Sequence, residues 1–119
     1  DLFSIGGQLA APDPAAVAKA LAKADLSEAR LGEFERIIDQ ADQELPPLRA
    51  FVLPAGTPKA ALLHLARTVC RRAERSVVAL AHEHEVPSLF VPYLNRLSDL
   101  LFTLARLANH HGGVRDAIW

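Results

Sequence analysis

The chain has 119 residues, half of them apolar and 23% charged, with a formal net charge of −1. That is the length of a single domain with an ordinary globular balance, and its near-zero charge gives no general affinity for nucleic acid or for an acidic membrane surface. One cysteine, Cys70, excludes an intramolecular disulfide, and no apolar run reaches the roughly 18 residues of a membrane span.

Residues 1–10 carry Leu2, Phe3, Ile5 and Leu9 ahead of the breaker Pro12-Asp13-Pro14. They read as the end of a helix whose beginning is absent. With no methionine in the chain, the N-terminal part of the domain is expected to be missing. Residues 11–25 are alanine-rich and read as a surface connection, partly helical. Ser27 is then a good N-cap, followed by an apolar stripe of Leu31, Phe34, Ile38, Ala41 and Leu45 at helical spacing. Pro46-Pro47 ends that helix, because proline lacks the N–H and clashes with the preceding turn.

The segment Leu48 to Gly56 reads as a loop with a buried apolar centre of Phe51, Val52 and Leu53. Thr57 with Pro58 is a favoured cap pairing for a third helix reaching about His82. Leu62, Leu65, Val69, Ala73, Val77 and Leu80 are its expected apolar face. Pro87 is expected to open a fourth helix, which runs to about Asn109 and stops at Gly112-Gly113. Its stripe is Leu94, Leu97, Leu101, Leu104 and Leu107 or Ala108. Short connections imply antiparallel neighbours, so the fold class is all-α, an up-and-down helix bundle.

The third helix is unusual in its middle. Arg67, Arg71, Glu74 and Arg75 stand at i, i+4, i+7 and i+8 and share a face. One account is a solvated surface on which Glu74 pairs with its neighbours. The other is an anion site, since guanidinium forks match phosphate oxygens. The fourth helix adds Asn95 and Asp99 one turn apart in an apolar segment. In an antiparallel pair these lie across from the arginines and complete a polar pocket in the bundle wall, where polar groups are paired or functional. Asn95 suits an adenine or ribose edge; Asp99 reads as a structural partner of an arginine.

Other candidates carry less. His82 and His84 diverge at i and i+2 and make a poor metal pair, no Glu-x-x-His supports a di-iron site, and no metal site is expected. His110-His111 suits a helix C-terminus. Cys70 reads as a small buried apolar residue. No Walker-type phosphate loop occurs.

Taken together, Phe51 to Gly56 (FVLPAG), Arg67 to Arg75 (RTVCRRAER) and Asn95 to Phe102 (NRLSDLLF), at this spacing and after the opening DLFSIGGQLA, resemble the ATP:cob(I)alamin adenosyltransferases of the propanediol-utilisation and methylmalonic-aciduria type. The resemblance covers nearly the whole chain. It implies a five-helix, ferritin-like bundle assembled as a homotrimer with active sites between subunits. It implies transfer of the 5′-deoxyadenosyl group of ATP, used with Mg²⁺, to the cobalt of cob(I)alamin. Arg71, Arg72, Glu74, Arg75 and Asn95 then match ATP-binding positions, with Arg71 catalytic. Phe51 matches the cobalamin side, and Arg67 an arginine paired with an acidic residue of a neighbouring subunit. The family's Gly- and Thr-rich triphosphate loop has no counterpart in these residues, and Ala55-Gly56 departs from its FVLPGG-type run. A bacterial cytoplasm is the expected setting. The alternatives are a non-catalytic helical module that binds nucleotide or corrinoid, and a structural bundle whose arginine face meets a protein partner.

Overall fold

The computed structural model describes residues 1–13, 15–17 and 26–119. Most of the connection expected at 11–25 lies outside the described residues. Among them stand four helices with described bounds, α1 (Leu2–Ala10), α2 (Glu28–Glu44), α3 (Pro58–Ala81) and α4 (Phe90–His111), and residues 15–17 are helical as well. They form an elongated bundle with principal extents of 49 × 25 × 22 Å.

Local chemistry sets the ends of each helix. Ser27 takes an extended backbone ahead of α2, and Glu28 in the first turn suits the positive end of the helix dipole. The Thr57 hydroxyl accepts from the Ala60 N–H at 3.1 Å, with Pro58 at the first position of α3. The fourth helix begins at Phe90 rather than at Pro87, whose carbonyl instead accepts from the Phe90 N–H. Pro92 falls within the first turn, where a missing N–H breaks no ladder bond. Gly112 and Gly113 close the helix, and Gly113 takes a φ of 66° that favours glycine.

The α4 helix is the centre of the molecule, packed along α3 and against α2. Its buried residues, from Phe90 and Tyr93 to Arg106 and Asn109, point in several directions. The apolar core gathers Ile5 of α1, Cys70 and Val77 of α3, and Phe90, Tyr93 and Leu94 of α4. Leu31 and Phe34 of the expected α2 stripe pack against it.

On α3 most of the expected apolar face is turned the other way, and of its six positions only Val77 is buried. Leu62 is 66% exposed, Leu65 59% and Val69 46%, whereas Ala60, His64, Cys70, Glu74 and Val77 are buried against α4. The helix therefore places a partly polar face inward and an apolar stripe outward. Phe51 is also corrected: it is 85% exposed rather than the buried centre of its loop. That loop is ordered by the C-terminal tail. Val52 and Ile118 form an antiparallel bridge, the Leu53 N–H donates to the Ala117 carbonyl at 2.8 Å, and the Trp119 N–H donates to the Phe51 carbonyl at 2.9 Å.

Candidate functional site

The inward polar face of α3 meets the polar turn of α4 at Glu74. Its carboxylate is 9% exposed and engaged at both oxygens. Oε2 accepts from Arg71 Nη1 at 2.6 Å and Oε1 accepts from Asn95 Nδ2 at 3.0 Å. A buried carboxylate needs such partners to offset its lost hydration. In doing so it holds both side chains: the guanidinium of Arg71 is turned along α3, and the amide of Asn95 is left with its oxygen free of this pair.

Arg67, one turn before Arg71, sits differently. Its guanidinium carbon lies 5.6 Å from the centre of the Phe102 ring, within cation–π range. Its Nε is buried and has no hydrogen-bond partner among the described residues. His64, a further turn back, is 1% exposed, stands 6.2 Å from the same ring, and has neither ring nitrogen bonded. Burial first, and then the Arg67 charge, pushes its pKa down from the ordinary 6.5, so the imidazole is neutral at pH 7.

Arg67 and Arg71 open into a cleft of about 700 Å³ that is also lined by Phe51, Ser98, Asp99 and Phe102. This volume is in the range of small-molecule sites. One wall is cationic, the other is the apolar loop edge with the exposed Phe51 ring. Asp99 pairs at 3.1 Å with Arg96 on its own helix, not with the α3 arginines. Arg72 and Arg75 are exposed and line no part of the cleft. The structure thus brings together Arg67, Arg71, Glu74, Asn95 and Phe51, and leaves Arg72 and Arg75 outside this group.

Cys70 is buried and its thiol donates to the Leu94 carbonyl at 3.2 Å. Burial, and secondarily Glu74, raises its pKa, so it stays a protonated packing group. Among the described residues no three His, Cys, Asp or Glu side chains are grouped as a metal requires, and no helix is long and apolar enough to cross a membrane.

Sequence reasoning missed a second polar cluster, behind the loop. Arg106 and Asn109 each donate to Asp116 and to a backbone carbonyl at one end of the loop, Pro46 and Ala55 respectively. The signal for this cluster is an arginine and an asparagine at i and i+3 in the largely apolar second half of α4.

Comparison with known proteins gives the family of the chain. The family model of cobalamin adenosyltransferase matches residues 1–108. The corrinoid adenosyltransferase MMAB of Mus musculus is 42% identical over 118 residues, covering 99% of this chain and 50% of that protein. The corrinoid adenosyltransferase of Bacillus subtilis is 41% identical over 116 residues, covering 98% of this chain and 57% of that protein. Among solved structures, a variant PduO-type ATP:corrinoid adenosyltransferase from Lactobacillus reuteri, complexed with cobalamin and ATP, superposes with a TM-score of 0.86 at 36% identity, covering 99% of this chain and 64% of that one. The chain spans about half to three fifths of the length of these curated relatives. Its helices, its arginine-rich α3 and the match over residues 1–108 place this chain in the cobalamin adenosyltransferase family.

Proposed function

We propose that the protein transfers the 5′-deoxyadenosyl group of ATP to cob(I)alamin, giving adenosylcobalamin and triphosphate. The observation that carries this reading is the hydrogen-bonded Arg71–Glu74–Asn95 constellation, whose Arg71 opens into the same cleft as Phe51. It sets an anion-binding, hydrogen-bonding wall opposite an apolar one, which is what a nucleotide and a corrinoid face require. The relatives' names and the ATP and cobalamin of the Lactobacillus reuteri complex support it.

In this reading the Co(I) electron pair forms the bond to C5′ while the C5′–O bond breaks, and that pair departs with the triphosphate. Charge therefore builds on the leaving oxygens. Arg71 supplies a pre-oriented guanidinium there, and Glu74 fixes its direction. A contact made to developing charge is worth roughly 2.7–4 kcal/mol, or about 10²–10³ in rate. Asn95 presents an amide edge to the nucleoside. Arg72 and Arg75, exposed on α3, extend the cationic row along which ATP lies. Magnesium would arrive on the triphosphate, which supplies most of its oxygen ligands.

Phe51 acts on the other substrate. An apolar ring pressed under the corrin excludes the lower axial base and leaves four-coordinate Co(II), which is easier to reduce to Co(I). The exposure of that ring on a loop ordered by backbone bonds supports the role.

A homotrimer with sites between subunits accounts for two further observations. The outward stripe of Leu62, Leu65 and Val69 is the kind of apolar surface that a partner subunit covers. The unpartnered Arg67 Nε is suited to an acid from a neighbour. Reducing surroundings such as the cytoplasm suit the single, buried thiol.

The test is an anaerobic assay of the full-length protein with ATP, Mg²⁺ and chemically reduced cob(I)alamin, following loss of the Co(I) absorbance. ATP-dependent formation of adenosylcobalamin is expected. Binding of both ligands without conversion would instead favour a non-catalytic corrinoid or nucleotide module.

A further inference from the structure

The polar cluster behind the loop is built as a hub. Asp116, on the C-terminal tail, receives Arg106 Nε at 2.9 Å on one oxygen and Asn109 Nδ2 at 3.2 Å on the other. Arg106 also donates through Nη2 to the Pro46 carbonyl at 2.6 Å. Asn109 donates to the Ala55 carbonyl at 3.1 Å and accepts from the Thr57 N–H at 2.9 Å. Arg106 is 5% exposed and Asn109 fully buried. The two stand one turn apart on α4 and bond both ends of the segment 46–57 together with the tail.

The position of this hub limits what it can do. The apolar core lies around Ile5, Cys70, Val77, Phe90, Tyr93 and Leu94, and none of the hub's bonds joins α3 to that core. Gly56 is adapted to it: a Cβ there, at φ 122°, would lie 2.1 Å from Asn109 Oδ1. The hub therefore fixes the loop and the tail, and through them the two backbone bonds on either side of the Val52–Ile118 bridge. One of those bonds is accepted by the carbonyl of Phe51 itself. A ring that must press on a corrin face gains nothing from a backbone free to retreat. Displacements near 1 Å in such contacts cost about 100-fold in rate.

We propose that Arg106, Asn109 and Asp116 are positioning residues for Phe51: they brace the loop–tail ladder so that the ring displaces the lower axial base of cobalamin. This rests on the corrinoid reading given above. The hub residues line no part of the cleft that holds Arg71 and Phe51, so in this proposal they act on the Co(II) stage and not on the transfer from Co(I), where the lower base has already left the metal.

The experiment uses the full-length protein with Asp116→Asn and Asn109→Ala, beside Phe51→Ala. Electron paramagnetic resonance with ATP and cob(II)alamin measures the four-coordinate fraction. Turnover is measured twice, once from cob(II)alamin with a reduced flavin and once from pre-reduced cob(I)alamin. The expected result is a loss of roughly tenfold or more in the four-coordinate fraction and in flavin-supported turnover. Turnover from cob(I)alamin and the KM for ATP should stay within about twofold. If Asp116→Asn fails to fold, Trp119→Pro carries the test, because it removes the N–H that the Phe51 carbonyl accepts, with Trp119→Ala, which keeps that N–H, as its control; the same selective loss is expected from the proline variant alone. An unchanged four-coordinate fraction, or equal losses from Co(II) and Co(I), overturns the proposal while leaving the function intact. Inactivity of the unaltered protein with cob(I)alamin and ATP overturns both.

Discussion

Replacing Glu74 by glutamine tests whether the buried carboxylate serves the site by aiming Arg71. The side chain keeps its shape and loses its charge. Glu74 now accepts from Arg71 at 2.6 Å and from Asn95 at 3.0 Å. A glutamine has one oxygen and one NH₂, so one of those partners must face a donor. Turning the NH₂ toward Arg71 sets two donors against each other and frees the guanidinium. Turning it toward Asn95 keeps only a neutral-acceptor bond to Arg71. A charge-assisted hydrogen bond contributes about 1.5–3 kcal/mol, but Arg71 is 43% exposed and solvent screens part of that. A stability loss of about 1 kcal/mol follows, or roughly 4 °C in Tm for a domain near this size. Function should suffer more than stability. With Arg71 no longer held, kcat/KM for ATP should fall about tenfold to a hundredfold, which corresponds to roughly 1.4–2.8 kcal/mol. The KM for cobalamin should barely move. Thermal unfolding and steady-state kinetics on the same preparation check both numbers. Unchanged kinetics with ATP, alongside the stability loss, would show that Glu74 is only a structural acid and would sink the orienting role.

Arg71→Ala should abolish most turnover, by about 10²–10³, while circular dichroism shows the helices intact; a variant with normal turnover would remove Arg71 from the chemistry. Gly56→Ala should cost roughly 2–5 kcal/mol, from the positive φ and the overlap with Asn109, and chemical denaturation measures it. His64 sets an acid limit. Its pKa is lowered in the fold from 6.5, so above that pH it is neutral in both states and contributes nothing. Below it the unfolded chain takes up a proton that the folded chain refuses, and stability falls by up to about 1.4 kcal/mol per pH unit. His64→Phe should flatten the stability profile below pH 6.5; a profile that keeps its slope would place the acid sensitivity elsewhere.

The Thr57 cap of α3 and the glycines that close α4 were legible because each is a local feature within a few residues; Ser27 takes the N-cap position of α2, but its side chain makes no cap hydrogen bond. The approach of Asn95 to Glu74 was legible in outline for a related reason. Two polar groups at helical spacing on consecutive antiparallel helices meet if their helices are adjacent, and α3 and α4 are. The hub was not legible. Asp116 meets Asn109 and Arg106 only because the chain reverses at Gly112-Gly113, and Ala55 lies 54 residues from Asn109. No periodicity encodes the register of a loop against a tail. Phe51 was misjudged for the same reason: its neighbours in the ladder are residues 117–119, so the backbone of the loop is ordered without its ring being buried.

The reversed face of α3 has a more general cause. A hydrophobic stripe marks the side of a helix that will be covered, but it does not name what covers it. On α3 the side turned to α4 holds His64, Arg67, Cys70, Arg71 and Glu74, because this is where the polar constellation has to be. The apolar residues Leu62, Leu65 and Val69 are left to the outside. A helix that gives its inward face to chemistry must find its hydrophobic cover elsewhere. The proposed trimer supplies it, and this makes the site and the assembly one problem. Introducing charge into the outward stripe by Leu65→Glu should shift the mass measured by light scattering toward monomer. It should also weaken ATP binding, although Leu65 lines no part of the cleft. A variant that stayed fully assembled with normal ATP affinity would show that the stripe is covered by something other than a second copy.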